Sequence, residues 1–108
     1  MNKRTIRATG AAALDETLTP TSAFQIEEIR LHLSAPCTVA EDLTIQLDSG
    51  TAAVYDTTIV QQNMNGVQDL LWQPPRPILF NNGDEIDITF PNTGNATWGL
   101  EIFWSPIF

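Results

Sequence analysis

The sequence predicts an all-β fold: a two-layer antiparallel β-sandwich of about eight strands, jelly-roll-like, with an extended N-terminal arm. Three observations predict it. Apolar and polar residues alternate with a period of two through most of Phe24 to Trp104, as strands with one buried face require. Turn-forming clusters interrupt the alternation at the roughly 8–12-residue spacing of sandwiches and barrels. The 108 residues are 43% apolar and 17% charged, too apolar for an acidic disordered chain. Size scaling gives roughly 5,900 Å² of folded surface, with about 65% of the unfolded surface buried.

Taken in order, Arg4–Ala8 is a weak strand candidate. Thr9–Leu18 contains Ala11-Ala12-Ala13 and places Leu14 and Leu18 at i, i+4. It is shorter than the ~12–15 residues an isolated helix needs in water, so it reads as extended arm or a single turn. Residues 1–22 are therefore assigned to the arm and 23–108 to the sandwich.

Phe24 and Ile26 share one phase of the alternation, and Ile29, Leu31 and Leu33 share the other. The switch falls at Glu27-Glu28, where a β-bulge would keep both sets facing inward. Leu43–Leu47 alternates cleanly. Val54–Val60 is rich in strand formers, with Tyr55, Thr57 and Ile59 on one side. Val67–Trp72 and the short Ile78–Phe80 follow. Ile86, Ile88 and Phe90 alternate with Asp87 and Thr89. Trp98, Leu100, Ile102 and Trp104 alternate with Gly99, Glu101 and Phe103.

The breaks have turn chemistry. Asn63–Gly66 and Asn81–Asp84 offer residues that tolerate positive φ. Three prolines in Gln73–Pro77 remove three donors and cannot sit in a central strand. Eight short strands with mixed loop lengths suit two four-stranded sheets in a jelly roll. The immunoglobulin sandwich is the rival, but its cysteine pair is missing.

Charge and composition exclude several functions. The formal charge is -8 and the pI is near 4.2, which argues against nucleic-acid binding by the folded body. No run of 18 apolar residues offers a membrane span, and no long apolar stretch follows the basic N-terminus, so a secretory signal is not expected. One cysteine and one histidine allow no internal disulfide and no zinc site of the usual kind. Lys3, Arg4 and Arg7 are three of the five basic residues; Arg30 and Arg76 are the other two. This leader is either a merely basic terminus or an arm that docks on an acidic patch of a neighbouring copy.

Candidate chemistry is sparse. His32 lies between two apolar residues of a strand and so points away from the core. No nucleophile motif accompanies it. Cys37 lies in a loop with nothing to lower its pKa. Asp15-Glu16, Glu27-Glu28, Glu41-Asp42 and Asp84-Glu85 are adjacent acids, whose side chains point to opposite faces in a strand rather than forming a dyad. Asn81-Asn82-Gly83-Asp84 reads as a turn before a strand, though its oxygens are of a kind that holds calcium. No catalytic residue, cofactor or metal is assigned. Trp98 and Trp104 read as core; a carbohydrate-binding or adhesion module would instead present a solvent-exposed row built from Trp72, Phe103 or Trp98 beside polar loops.

Several segments together resemble small virion proteins of tailed bacteriophages: Arg4–Gly10, Phe24–Leu33, Gly83–Ile88 and Trp98–Pro106. The resemblance covers most of the chain and is one of style and length. It implies a head decoration (cement) protein, a homotrimer on the capsid surface of the virion, made in the host cytoplasm. The implied partners are the major capsid protein and copies of itself, with no nucleic acid and no membrane. On this reading the arm makes contact through Lys3, Arg4, Ile6 and Arg7. Read from its residues, the apolar terminus, Ile107 and Phe108, either tucks into its own core or packs between subunits. The alternative role is a carbohydrate-binding or adhesion module on a phage tail or spike.

Overall fold

The computed structural model describes residues 3–107. Nine strands form two antiparallel sheets. They are β1 (Arg4–Gly10), β2 (Leu14–Leu18), β3 (Ala23–Leu33), β4 (Asp42–Asp48), β5 (Thr57–Asn63), β6 (Asp69–Trp72), β7 (Leu79–Phe80), β8 (Glu85–Phe90) and β9 (Trp98–Ile107). The front sheet has the order β1-β9-β3-β6, with β7 also on β3. The back sheet has the order β2-β8-β4-β5. This is the order made by folding one long antiparallel ribbon over on itself: β1-β2 lies beside β9-β8, and β3-β4 lies on the other side of the same pair. It is the jelly-roll arrangement.

The core lies between the sheets. Phe24, Ile26, Ile29, Leu31, Leu33, Leu100 and Ile102 enter from the front, and Leu14, Leu18, Leu43, Ile45, Ile86, Ile88 and Phe90 from the back; all are buried. Phe24 stacks on Phe80 with centroids 5.1 Å apart and meets the edge of Trp104 at 6.2 Å. The accessible surface is 6138 Å², close to the size-scaling value.

The bulge falls where the sequence places it. The β3–β9 register shifts between Ile26 and Glu28, leaving Glu27 as the extra residue. The phase switch is thereby absorbed, and the apolar side chains on both sides of it stay inside.

The N-terminal segment differs from expectation. Residues 4–18 do not reach away from the sandwich; they supply one edge strand to each sheet. All seven residues of β1 pair with β9, and all five of β2 pair with β8. The reason is in the packing. Leu14 and Leu18 are each 1% exposed, because an i, i+4 pair also satisfies a period of two. The corner between the strands is pinned from the far end of the chain. Asn92 Nδ2 donates to the carbonyls of Ala11, Ala12 and Ala96, and the Trp98 indole N–H donates to Ala12 at 2.9 Å. The division into arm 1–22 and body 23–108 is therefore corrected: both edge strands before residue 19 belong to the sandwich.

One further boundary moves. Ala53–Tyr55 is a single 3-10 turn, and the strand that follows runs from Thr57 to Asn63. Asp56 accepts the Ser49 N–H, which closes the loop before the strand begins. Met64, read from sequence as part of a turn, is fully buried.

Candidate interaction surfaces

Call the lower end of the sandwich the one where β1 and β3 begin and β4 and β9 finish. The described ends of the chain, Lys3 and Ile107, meet there, as Arg4 pairs with Trp104 and Ala23 with Ile107. The loop with the 3-10 turn and the β7–β8 loop stand beside them. Asp84, 6% exposed, joins these two loops: its carboxylate accepts Gly50 N–H at 3.0 Å and Asn81 N–H at 2.9 Å. The buried carboxylate is thus a brace between backbones. Tyr55, Ile78, Leu79 and Leu47 line a shallow depression at this end. Leu79 is 63% exposed and Tyr55 59%.

The predicted contact residues are distributed as follows. Arg7 points outward from the front sheet, and its Nε donates to Glu101 Oε2 at 2.8 Å. Ile6 lies opposite Ile102 on the inward side but at the open edge, 38% exposed. Arg4 and Lys3 are exposed at the lower end. The Gln25 amide holds the Glu27 carboxylate, and the Gln73 amide the Glu28 carboxylate, below the usual range, with the Lys3 charge the smallest contribution to each. Ile107 is half-buried against Ala23; Phe108 lies outside the described residues. Topology thus brings the two ends together, which no spacing in the sequence reveals.

The outer face of the front sheet follows from register. One row across the strands reads Arg7, Glu101, Arg30, Leu71; the next reads Thr9, Gly99, His32, Asp69. Arg30 pairs with Glu28 and its guanidinium lies 4.8 Å from the Phe103 ring centre. His32 Nδ1 meets Asp69 Oδ1 at 2.5 Å, with both side chains more than half exposed. Such solvated pairs add little to stability. Above Gly99 the face sinks into an open depression of about 670 Å³.

The outer face of the back sheet is different. It presents Asp15, Asp42, Asp48, Glu85 and Asp87, and none of its strands carries Lys or Arg. All five cations sit on the front sheet, just before it or in its β6–β7 loop.

The aromatic residues do not form an exposed row. Trp98 is 5% exposed, Trp72 lies on the inward side opposite Ile29, and Phe103 lies on the outer face under Arg30. Trp104 is half-buried, not fully core. Cys37 packs at the core margin with its Sγ on Val39 O. Among the described residues, no group of three His, Cys, Asp or Glu side chains converges as metal ligands.

The fold and these surfaces define the class: a jelly-roll β-sandwich that exposes Tyr55 and Leu79 at its lower end and carries no Lys or Arg on the strands of its back sheet. No protein-family model matches the chain, and no curated protein is significantly similar to it.

Proposed function

We propose that the chain is a non-enzymatic structural protein of a tailed-bacteriophage particle, a head decoration (cement) protein. It binds the major capsid protein through its lower end and assembles with copies of itself as a homotrimer on the capsid surface. One observation carries this reading: Lys3, Arg4 and Ile107 meet at the same end as the exposed Tyr55 and Leu79. An acidic body that exposes apolar side chains beside its only terminal cations is suited to docking on a surface. The jelly-roll order, which recurs in viral capsid domains, and the sequence resemblance support the same reading. Fold alone does not decide function, so the weight rests on the surface.

The test is co-sedimentation of the purified chain with assembled, expanded heads of the phage that encodes it. The expected result is saturable binding, weakened roughly tenfold by Leu79→Asp or Arg4→Glu, the range of a central contact residue. A chain that stays in the supernatant at every ratio of protein to heads overturns the reading.

A further inference from the structure

On one flank of the sandwich, both sheets end in a strand of the N-terminal segment. β1 closes the front sheet and β2 the back sheet. Beyond their ladders with β9 and β8, no backbone group of β1 or β2 has a backbone partner among the described residues. Open edges of this kind are where another chain adds a strand. β1 runs up from the lower end, and β2 runs back down toward it, so the two open edges are antiparallel.

Their charges are opposite. β1 carries Arg4 and Arg7, and β2 carries Asp15 and Glu16. Arg7 and Asp15 belong to the outer faces; Arg4, opposite Trp104, and Glu16, opposite Ile88, have the inward phase. Arg7 gives only its Nε to Glu101, which leaves the other donors of a five-donor guanidinium. Arg4 has no ion pair among the described residues. Like charges directly opposite each other destabilise a strand pair. Pairing β1 with β1 of another copy, or β2 with β2, is therefore disfavoured, and pairing β1 with β2 is favoured. The far flank offers no such match: β6 has 4 residues, and neither β5 nor β6 carries a cation.

We infer that two copies join on this flank, β1 of each adding to β2 of the other, about a twofold axis parallel to the strands. That rotation brings the back sheet of the second copy into line with the front sheet of the first, inner faces aligned and strands antiparallel. Residues 4–8 match the 5 residues of β2. Arg7 then lies opposite Asp15 of the second copy, and Arg4 lies diagonal to its Glu16. Ile6, 38% exposed at the open edge, is covered. The contact is isologous, and both lower ends point the same way, as docking on one surface requires. The inference rests on the reading that the chain assembles with itself, and it adds a pairwise link that a threefold contact does not supply.

The test uses the full chain without heads, with mass read by light scattering over a concentration series. The wild type is expected as an even number of 11.9 kDa chains. Arg7→Glu and Asp15→Arg should each raise the dissociation constant roughly tenfold, because an attraction becomes a repulsion and the symmetry counts it at both strand pairs. An equimolar mixture of the two variants should associate as tightly as the wild type, since each new charge then meets its opposite. Both positions are exposed, so both variants should melt with the wild type. If Arg7→Glu melts early, Asp15→Arg decides alone. A folded variant that associates as tightly as the wild type overturns the inference, as does a mixture of folded variants no tighter than its components. A wild type of one chain, or of three, at every concentration overturns it too. Head binding is read separately by co-sedimentation, so either reading can fail while the other stands.

Discussion

The indole of Trp98 occupies the space beside Gly10 that a side chain would need: a Cβ there would stand 2.8 Å from Cζ2 and 3.1 Å from Cε2. This contact joins the first strand to the last, since Gly10 is also the register partner of Trp98. Gly10→Val should destabilise the chain by about 1–3 kcal/mol, the usual cost of overpacking. Chemical denaturation checks it. A Gly10→Val chain as stable as the wild type would show that the indole has room to move.

Asn92 is 3% exposed, has φ of 51°, and serves three carbonyls while its Oδ1 accepts Ala96 N–H at 3.1 Å. Asn92→Ala removes this partner from the Ala11 and Ala96 carbonyls and the Ala96 N–H, leaving Ala12 to the Trp98 indole, and should cost about 3 kcal/mol. Asn92→Asp should cost more, because it sets a buried carboxylate against carbonyl oxygens. The order of the two melting temperatures is the readout, with Asp the lower.

Deleting residues 2–20 removes the edge strand from each sheet and exposes the flanks of β8 and β9. The expected outcome is loss of cooperative unfolding and aggregation through the bared strands. Deleting residues 2 and 3 alone should leave the melting transition in place. A cooperative, wild-type-like transition after the longer deletion would show that β1 and β2 are dispensable.

Glu27 and Glu28 both lie below the usual 4.5. The Gln25 side-chain amide is the main cause for Glu27, followed by the Ser105 hydroxyl; the Gln73 amide is the main cause for Glu28, with Arg30 adding to it, and burial opposes the shift in both. A carboxylate whose folded value is depressed adds stability above its unfolded pKa and loses it as pH falls through the folded value. The contribution of these two groups is therefore complete above about pH 4.5 and disappears on further acidification. Ser105→Ala should move the Glu27 titration upward when followed by NMR. A wild-type Glu27 that titrates above 4.5 would contradict the hydrogen-bond assignment.

Strand periodicity made most of the sandwich legible, including the bulge at Glu27, because apolar alternation and burial obey the same constraint. It misled where two periods coincide. Leu14 and Leu18 suit a helical turn and a strand equally, and only Asn92 and Trp98, some eighty residues away, decide between them. Val54 and Tyr55 are strong strand formers placed in a turn, since Asp56 closes the loop on Ser49. The candidate surfaces were less legible still. Lys3 and Ile107 were named from sequence for separate reasons, and only strand order brings them together. The depression over Gly99 depends on which residues flank it across three strands, which no local pattern encodes.

The placement of β9 between β1 and β3 also constrains how the protein is made. Until residues 98–107 have left the ribosome, the first and third strands have no common neighbour, and the front layer stays divided. Nascent chains therefore carry unpaired backbone during synthesis and complete their architecture in one late step. Pairing elements so distant in sequence is intrinsically slow, and a high local concentration of the same chain gives those open flanks opportunities for mispairing.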